Sequence, residues 1–160
     1  MIEQIFQEQY APEFQYLLED TLEYDATNLV LKGRYKYNNS PYLVLPDKLM
    51  NSEDMLFIMN QAVYCFLFFY LNNKNNIDIK HFKDNFLENM VAVSQTFQLK
   101  SHIYKAKDPN TFSLRLIKKI TDKKQRDWFK LQFEMSDHKY NGNIKICLLH
   151  ENVHKMQATI

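Results

Sequence analysis

The feature that most constrains this chain is an apolar run from Met55 to Leu71, with the sequence MLFIMNQAVYCFLFFYL. Only Asn60 and Gln61 interrupt it. A membrane-spanning helix needs about 20 apolar residues, and amide side chains at its centre are costly in lipid. The run therefore predicts a helix that is enclosed inside the protein on nearly every side, and no membrane span.

The segments on either side of this run predict the ends of the helix. The sequence Asn-Ser-Glu-Asp at 51–54 is typical of a helix start, because Asn and Ser cap free N–H groups and acidic residues favour the positive end of the helix dipole. The polar run 72–76 is predicted to end the helix. A second, amphipathic helix is predicted to start near Asp78, with Ile79, Phe82 and Phe86 on one face.

The other segments have the residue patterns of β-strands. Phe129, Leu131, Phe133 and Met135 alternate with polar residues, which is typical of a sheet with one solvent-exposed face. The predicted strands are 14–24, 29–37, 91–105, 112–121, 127–136 and 143–150, and turn residues predict hairpins at 25–28, 107–110, 122–125 and 140–143.

The predicted order is two strands, a buried helix, a short helix and four strands. A long antiparallel sheet curved around one apolar helix buries that helix economically, so the sequence predicts an α+β chain with the hotdog fold. We expect a single domain over residues 1–150 and a C-terminal tail at 151–160. Two copies of such a fold normally pair edge to edge.

Composition excludes several classes of function. The formal net charge is +1, from 20 basic and 19 acidic residues, which argues against nucleic-acid binding through bulk positive charge. With only two glycines, Gly33 and Gly142, a phosphate-binding glycine loop is excluded. Cys65 and Cys147 have neither disulfide nor metal-ligand spacing, and Cys65 is expected to be a core thiol.

Other signals are equally sparse. His150 and His154 have the i, i+4 spacing of metal ligands but no third ligand nearby, so we expect a surface pair, no metal site and no cofactor. The N-terminal sequence MIEQIFQEQY lacks the regions of a signal peptide, and a cytoplasmic location is expected.

The two amides inside the apolar run are the most informative polar residues. A buried amide that lacks hydrogen-bond partners costs about 1–3 kcal/mol, so Asn60 and Gln61 either serve the structure or serve a site. Asn51 lies nine residues before Asn60 and shares a site with it only if it precedes the helix proper. Glu53 and Asp54 are expected to be dipole partners in the first turn.

Three segments resemble the FcoT-like, or type III, acyl thioesterases, a branch of the hotdog fold: SPYLVLPDKLMNSEDMLFIMNQAVYCF, the passage ending in KDPNTFSLRLI, and YNGNIKICLL. The resemblance covers most of the chain, from about Tyr10 to Leu149. It implies a pocket lined by two tyrosines and two asparagines, with no conventional nucleophile. The matching positions here are Tyr10, Tyr42, Asn51 and Asn60.

The resemblance also implies an activity on fatty acyl-coenzyme A or acyl-carrier-protein thioesters. Asn60 and Tyr42 would hold the thioester carbonyl or the attacking water, Asn51 would complete the hydrogen bonds, and Tyr10 would close over them. The acyl chain would lie among Phe57, Tyr64 and Phe68, while Lys118 and Lys119 would meet coenzyme A phosphates or an acidic carrier protein.

Two alternatives remain open at the level of sequence. Some relatives in isonitrile lipopeptide biosynthesis are assigned a lyase step that adds glycine to a (2E)-enoyl-carrier thioester. A non-catalytic acyl-binding module is the other alternative, since no strong acid or base is evident. Relatives imply a homodimer, with three dimers assembled into a hexamer.

Overall fold

The apolar run forms the predicted helix. The computed structural model describes residues 10–37, 50, 52–75, 82, 90–101, 103 and 109–149. Helix α1 spans Ser52–Asn75, so it begins where predicted and is described to four residues past Leu71, inside the polar run at 72–76 that was expected to end it. That run contains neither Gly nor Pro, and Asn costs a helix only a few tenths of a kcal/mol, so the last turn forms despite its polarity.

Helix α1 is buried on most sides. The part between Ser52 and Lys74 is long and apolar enough to cross a membrane by length and composition, but 72% of its most apolar stretch is buried inside the protein. The helix therefore belongs to the core. Its buried residues are Asp54, Met55, Ile58, Met59, Gln61, Ala62, Val63, Cys65, Phe66, Leu67, Phe68, Tyr70 and Leu71.

Within the described part of the chain, six antiparallel strands form one open sheet with the order β1-β2-β4-β5-β6-β3, and α1 packs against β1, β2 and β4. Strands β1 and β3 are the two edges. This arrangement of a six-stranded antiparallel sheet and one central helix is the hotdog fold that the sequence predicted. The strands are β1 (Leu17–Asp25), β2 (Val30–Tyr35), β3 (Met90–Leu99), β4 (Thr111–Thr121), β5 (Asp127–Met135) and β6 (Tyr140–Leu148).

The inner face of the sheet supplies the other half of the core. The alternation predicted in β5 is confirmed, because Phe129, Leu131, Phe133 and Met135 are each at most 1% exposed. Phe82, from the predicted second helix, is also buried and makes an edge-on contact with Phe68 at 5.5 Å. The rest of that helix, and the tail predicted at 151–160, lie outside the described residues.

The hairpin predicted at 140–143 is wrong. The chain turns earlier, where residues 136–138 have φ values of 47, 52 and 67°, and Tyr140 and Gly142 are paired residues of β6. Tyr140 is 2% exposed, so burying its ring outweighs the turn preference of the Asn-Gly pair. Gly142 meets a packing constraint instead, since a Cβ atom there would lie 3.2 Å from the carbonyl oxygen of Thr96.

A β-bulge in β4 changes which side chains face the core. Leu116 pairs with Leu131 on the inner face, the register then shifts, and Lys118 pairs with Lys130 while Lys119 pairs with Phe129. Because directly paired residues share a face and successive residues point to opposite faces, Lys118 lies on the outer face and Lys119 on the inner face. The two lysines therefore do not share a surface.

Candidate active site

One stripe of α1 is only half-buried. It contains Leu56, Phe57, Asn60 and Tyr64, and their three- and four-residue spacings place them on one side of the helix. The side chains on the other sides of this half of the helix are mostly buried. The half-buried stripe is therefore where α1 can present side chains to a ligand.

The segment before β1 packs along this stripe. The ring centroid of Tyr10 lies 6.1 Å from that of Phe57 and 6.3 Å from that of Tyr64, and Phe14 lies 5.0 Å from Phe57. Since Phe57 and Tyr64 lie one turn before and one turn after Asn60, Tyr10 lies on the same side of the helix as Asn60.

The side chain of Asn60 is held by a hydrogen bond from a residue of the sheet. The Gln95 side chain on β3 donates a hydrogen bond from Nε2 to Asn60 Oδ1 at 3.3 Å. This bond turns the amide so that Oδ1 points to β3 and leaves the two N–H donors of Nδ2 facing elsewhere. Within the described part of the chain Nδ2 has no hydrogen-bond partner. Asn60 thus offers two donors to a ligand at the stripe.

Gln61, the adjacent amide, serves the structure. It is fully buried, and its Oε1 accepts hydrogen bonds from the backbone N–H groups of Tyr16 at 2.9 Å and Leu17 at 3.2 Å. Its Nε2 donates to the carbonyl of Phe14 at 2.5 Å. These bonds attach the start of β1 to the middle of α1, which accounts for this amide without any ligand.

A buried carboxylate at the start of α1 has a role that the sequence did not predict. Asp54 is 3% exposed, and its Oδ1 accepts a hydrogen bond from the Tyr16 hydroxyl at 2.5 Å. Burial, together with the bond to Asp54, raises the pKa of Tyr16, so this phenol stays a donor. Asp54 is in the first turn, as expected of a dipole partner, and it also fixes Tyr16. Tyr16 and Asp54 are 38 residues apart, so no sequence motif indicated that they form a pair.

The remaining residues predicted for the site occupy different places. Tyr42 and Asn51 lie outside the described residues. Phe68 is 1% exposed and packs on Phe69 and Phe82, so it belongs to the core. Lys119 forms an ion pair with Asp127 at 2.8 Å on the inner face, whereas Lys118 lies on the outer face.

Burial keeps the Tyr10 phenol and the nearby Cys65 thiol in their neutral forms. Burial and the neighbouring Tyr64 raise the pKa of the Tyr10 phenol above its ordinary value, so it is protonated at neutral pH. Burial also raises the pKa of the Cys65 thiol, which is fully buried and therefore inert as a nucleophile. Among the described residues no group of three potential metal ligands occurs.

Solved structures with a similar arrangement of helix and strands come from several bacteria. An HP0420 homologue from Helicobacter felis aligns with a TM-score of 0.48 and 11% identity, over 88% of this chain and 93% of that one. SAV2348 from Staphylococcus aureus, solved in complex with CoA, gives 0.46 and 11%, over 78% and 71%. YhdA from Lactococcus lactis, described as a candidate thioesterase, gives 0.46 and 10%, over 81% and 91%.

No protein-family profile and no curated protein sequence matches the chain. At TM-scores below 0.5 and identities of 10–11%, the activity has to be argued from the residues of this chain.

The structural role of Gln61 predicts a large loss of stability in Gln61→Met. The substitution keeps the length of the side chain but leaves the backbone N–H groups of Tyr16 and Leu17 buried without partners, so the free energy of unfolding should fall by about 2–4 kcal/mol. Urea denaturation followed by circular dichroism measures this change. Gln98→Met, at an exposed position of β3, is the control and should change stability by less than about 0.5 kcal/mol. Equal losses in the two variants would contradict the role of Gln61.

Proposed function

We propose that this protein hydrolyses acyl thioesters of fatty acyl-coenzyme A or acyl-carrier protein, at a neutral site on the half-buried stripe of α1. The observation that carries the proposal is the Asn60 amide, whose Nδ2 donors are unpaired within the described chain while Gln95 holds its oxygen. The resemblance to the FcoT-like thioesterases supports it independently, because Asn60 matches one of the pocket asparagines of that family.

Thioester hydrolysis creates negative charge on the carbonyl oxygen. Donors that are already oriented towards that oxygen lower the barrier, and one such donor contributes about 10²–10³-fold to kcat. Asn60 Nδ2 is a donor of this kind, since its orientation is set by the sheet before substrate binds. Tyr42 and Asn51 complete the proposed set, together with the Tyr10 phenol, which covers the stripe at Phe57 and Tyr64.

The acyl chain lies along the aromatic part of the stripe in this proposal. Phe57 and Tyr64 are only partly buried in the single chain, so both can contact an apolar ligand. Phe68 supports that surface from within the core and does not contact the ligand. The protein is proposed to work in the cytoplasm, where coenzyme A and carrier-protein thioesters are made.

A second copy of the chain is proposed to pair along β3. This strand is an edge of the sheet, and it exposes Phe97 by 53% and Leu99 by 46%. Gln95 and Phe97 are two residues apart in β3, so their side chains lie on the same face of the sheet. The exposed edge is therefore close to Gln95, which holds Asn60. Pairing two such edges would cover exposed apolar surface and bring the partner close to the site. Three such dimers would form the hexamer that the resemblance implies.

The role of Asn60 is tested by Asn60→Asp. The carboxylate keeps the size of the side chain and the acceptor for Gln95, but it replaces both donors with negative charge, so kcat should fall about 10²–10³-fold. Release of free thiol from a series of saturated acyl-coenzyme A substrates measures the rate. Mass spectrometry of the products distinguishes hydrolysis from glycine addition to an enoyl-carrier substrate.

The matched control for this experiment is Asn73→Asp, at an exposed position near the end of the same helix. It makes the same chemical change and should leave kcat within about twofold of the parent protein. A parent-like rate in Asn60→Asp, or loss of activity in Asn73→Asp alone, would refute the assigned site.

The pKa of Tyr10 predicts the alkaline side of the pH profile. Burial and Tyr64 raise this pKa above the ordinary 10.0, so the phenol keeps its proton and its donor up to at least that pH. The value of kcat should therefore not fall as pH approaches 10. Initial rates across the alkaline range test this. A decline centred near 10 that disappears in Tyr10→Phe would show that the phenol is exposed to solvent and that the assigned burial is wrong.

The proposed dimer predicts a change in oligomeric state. Phe97→Glu places a charge on the exposed edge of β3, so the molecular mass in light scattering after size exclusion should fall to that of a smaller assembly. Ala26→Glu makes an equal charge change in the exposed turn between β1 and β2, at the opposite edge of the sheet, and should keep the parent mass. An unchanged mass in Phe97→Glu would exclude pairing through β3.

A further inference from the structure

We propose that the outer face of the sheet carries a second binding site, for a ligand with two or more linked phosphate groups. The site is a groove of about 430 Å³ on the side of the sheet opposite α1. Its residues are Ser94, Thr96, Lys118, Ile120, Trp128, Phe129, Lys130, Asn143, Ile144 and Lys145. The volume falls in the range of ordinary ligand sites, about 300–1,000 Å³.

Three lysines stand in one row across this groove. Lys118 on β4 is directly opposite Lys130 on β5, and Lys130 is directly opposite Lys145 on β6. All three side chains are exposed. Because neighbouring strands lie about 4.8 Å apart, the row spans about 10 Å at the backbone, and the flexible lysine stems allow the ammonium groups to converge.

This row is unfavourable for the protein alone. Like charges that are directly opposite on neighbouring strands destabilise a sheet. None of the residues lining the groove is acidic, and among the described residues none of the three lysines forms an ion pair. The nearby cations of the same hairpin differ, since Lys119 pairs with Asp127 at 2.8 Å and Arg126 with Asp122 at 2.6 Å. An anionic ligand would supply the missing negative charge.

The rest of the groove fits the organic part of such a ligand. Trp128 and Ile120 form an apolar surface beside the lysines, and Ile120 is 47% exposed. The indole is fixed by a hydrogen bond from its Nε1 to Asp122 at 3.0 Å, and the Lys145 ammonium lies 4.6 Å from the ring centroid. Ammonium groups bind phosphate as compact charges, and the hydroxyls of Ser94 and Thr96 add hydrogen-bonding groups at the edge.

The bulge in β4 is what forms this site. It places Lys118 opposite Lys130 on the outer face and sends Lys119 to the inner face, where Asp127 neutralises it. The groove and the stripe of α1 therefore lie on opposite sides of the sheet. Binding of a phosphorylated ligand here does not require the proposed hydrolase activity, so either proposal can fail without the other.

The test is titration calorimetry on the full chain at low salt, with pyrophosphate, ADP, coenzyme A and inorganic phosphate as separate probes. We expect binding of the probes that carry linked phosphates, weakened as salt increases. Lys130→Gln removes the centre of the row and should raise the dissociation constant at least about tenfold. Lys123→Gln, in the exposed turn of the same hairpin but outside the groove, should stay within about twofold.

Two further measurements separate this site from general attraction to lysines. Without ligand, Lys130→Gln should unfold at a higher temperature than the parent chain, because one unfavourable charge has been removed from the row. If the groove binds the phosphates of coenzyme A, Lys130→Gln raises KM for acyl-coenzyme A and leaves kcat unchanged. If the groove binds a separate phosphorylated ligand, Lys130→Gln leaves KM for acyl-coenzyme A unchanged, and ADP binds in the presence of acyl-coenzyme A.

Three results would overturn the proposal. The first is no binding of any probe that carries linked phosphates. The second is parent-like affinity in Lys130→Gln, or equal losses in Lys130→Gln and Lys123→Gln. The third is binding of inorganic phosphate as tightly as pyrophosphate, which would indicate a general ion effect rather than a site for linked phosphates.

Discussion

The structure depends on enclosing a helix that is apolar almost all round. An amphipathic helix needs one covering surface, but α1 needs several, and the sheet can supply only one of them. A second cover comes from residues 10–17, which the Gln61 side chain attaches to the helix through three hydrogen bonds to their backbone groups. What remains partly exposed is the stripe that contains Asn60. The position of the candidate site is thus set by where the enclosure is incomplete.

Two adjacent amides in this helix have different roles because they point in different directions. Successive residues are about 100° apart around a helix, so Gln61 faces the start of β1 while Asn60 faces the stripe and β3. Every hydrogen-bonding atom of the Gln61 side chain has a backbone partner. Asn60 is held at its oxygen alone. Asn60 is only half-buried, so its Nδ2 donors are available to a ligand, and a bound carbonyl oxygen would give them a partner.

The sequence predicts this fold well because apolar residues occur in patterns that are typical of a buried helix or of a strand with one buried face. The apolar run identifies the central helix, and the alternation of Phe129, Leu131, Phe133 and Met135 identifies an inner-facing strand. The errors occur where local preference competes with burial. The Asn-Gly pair favours a turn, but Tyr140 gains more from the core, so the turn moves to residues 136–138. The Asn-rich end of α1 lacks a residue that forbids helix, so the helix extends past Leu71 to Asn75.

The candidate site is less predictable because it depends on pairs that are distant in sequence. Residues 54, 60 and 61 attract notice as polar groups in an apolar helix, but their partners Tyr16, Gln95 and the backbone near Phe14 come from other strands and loops. The placement of Lys118 and Lys119 also depends on a neighbouring strand that the local sequence does not reveal. Alternation alone places these adjacent residues on opposite faces, but the extra residue in β4 decides that Lys118 faces outward and Lys119 inward. No periodicity reveals a bulge, because the register of a strand is set by the strand beside it.

The neutral character of the site follows from the same enclosure. A carboxylate acting as a base needs to exchange protons with water, but Asp54 is buried and accepts a hydrogen bond from Tyr16. Burial raises the pKa of Tyr10 and Tyr16, so both phenols remain donors instead of becoming anions. The hydrolysis proposed for the stripe would therefore depend on oriented donors and a positioned water molecule, and only weakly on proton transfer to a charged base. Such a site accelerates a reaction chiefly through geometry. In that proposal the contacts of Gln95 with Asn60 and of Tyr64 with Tyr10 affect the rate, although neither Gln95 nor Tyr64 needs to touch the thioester.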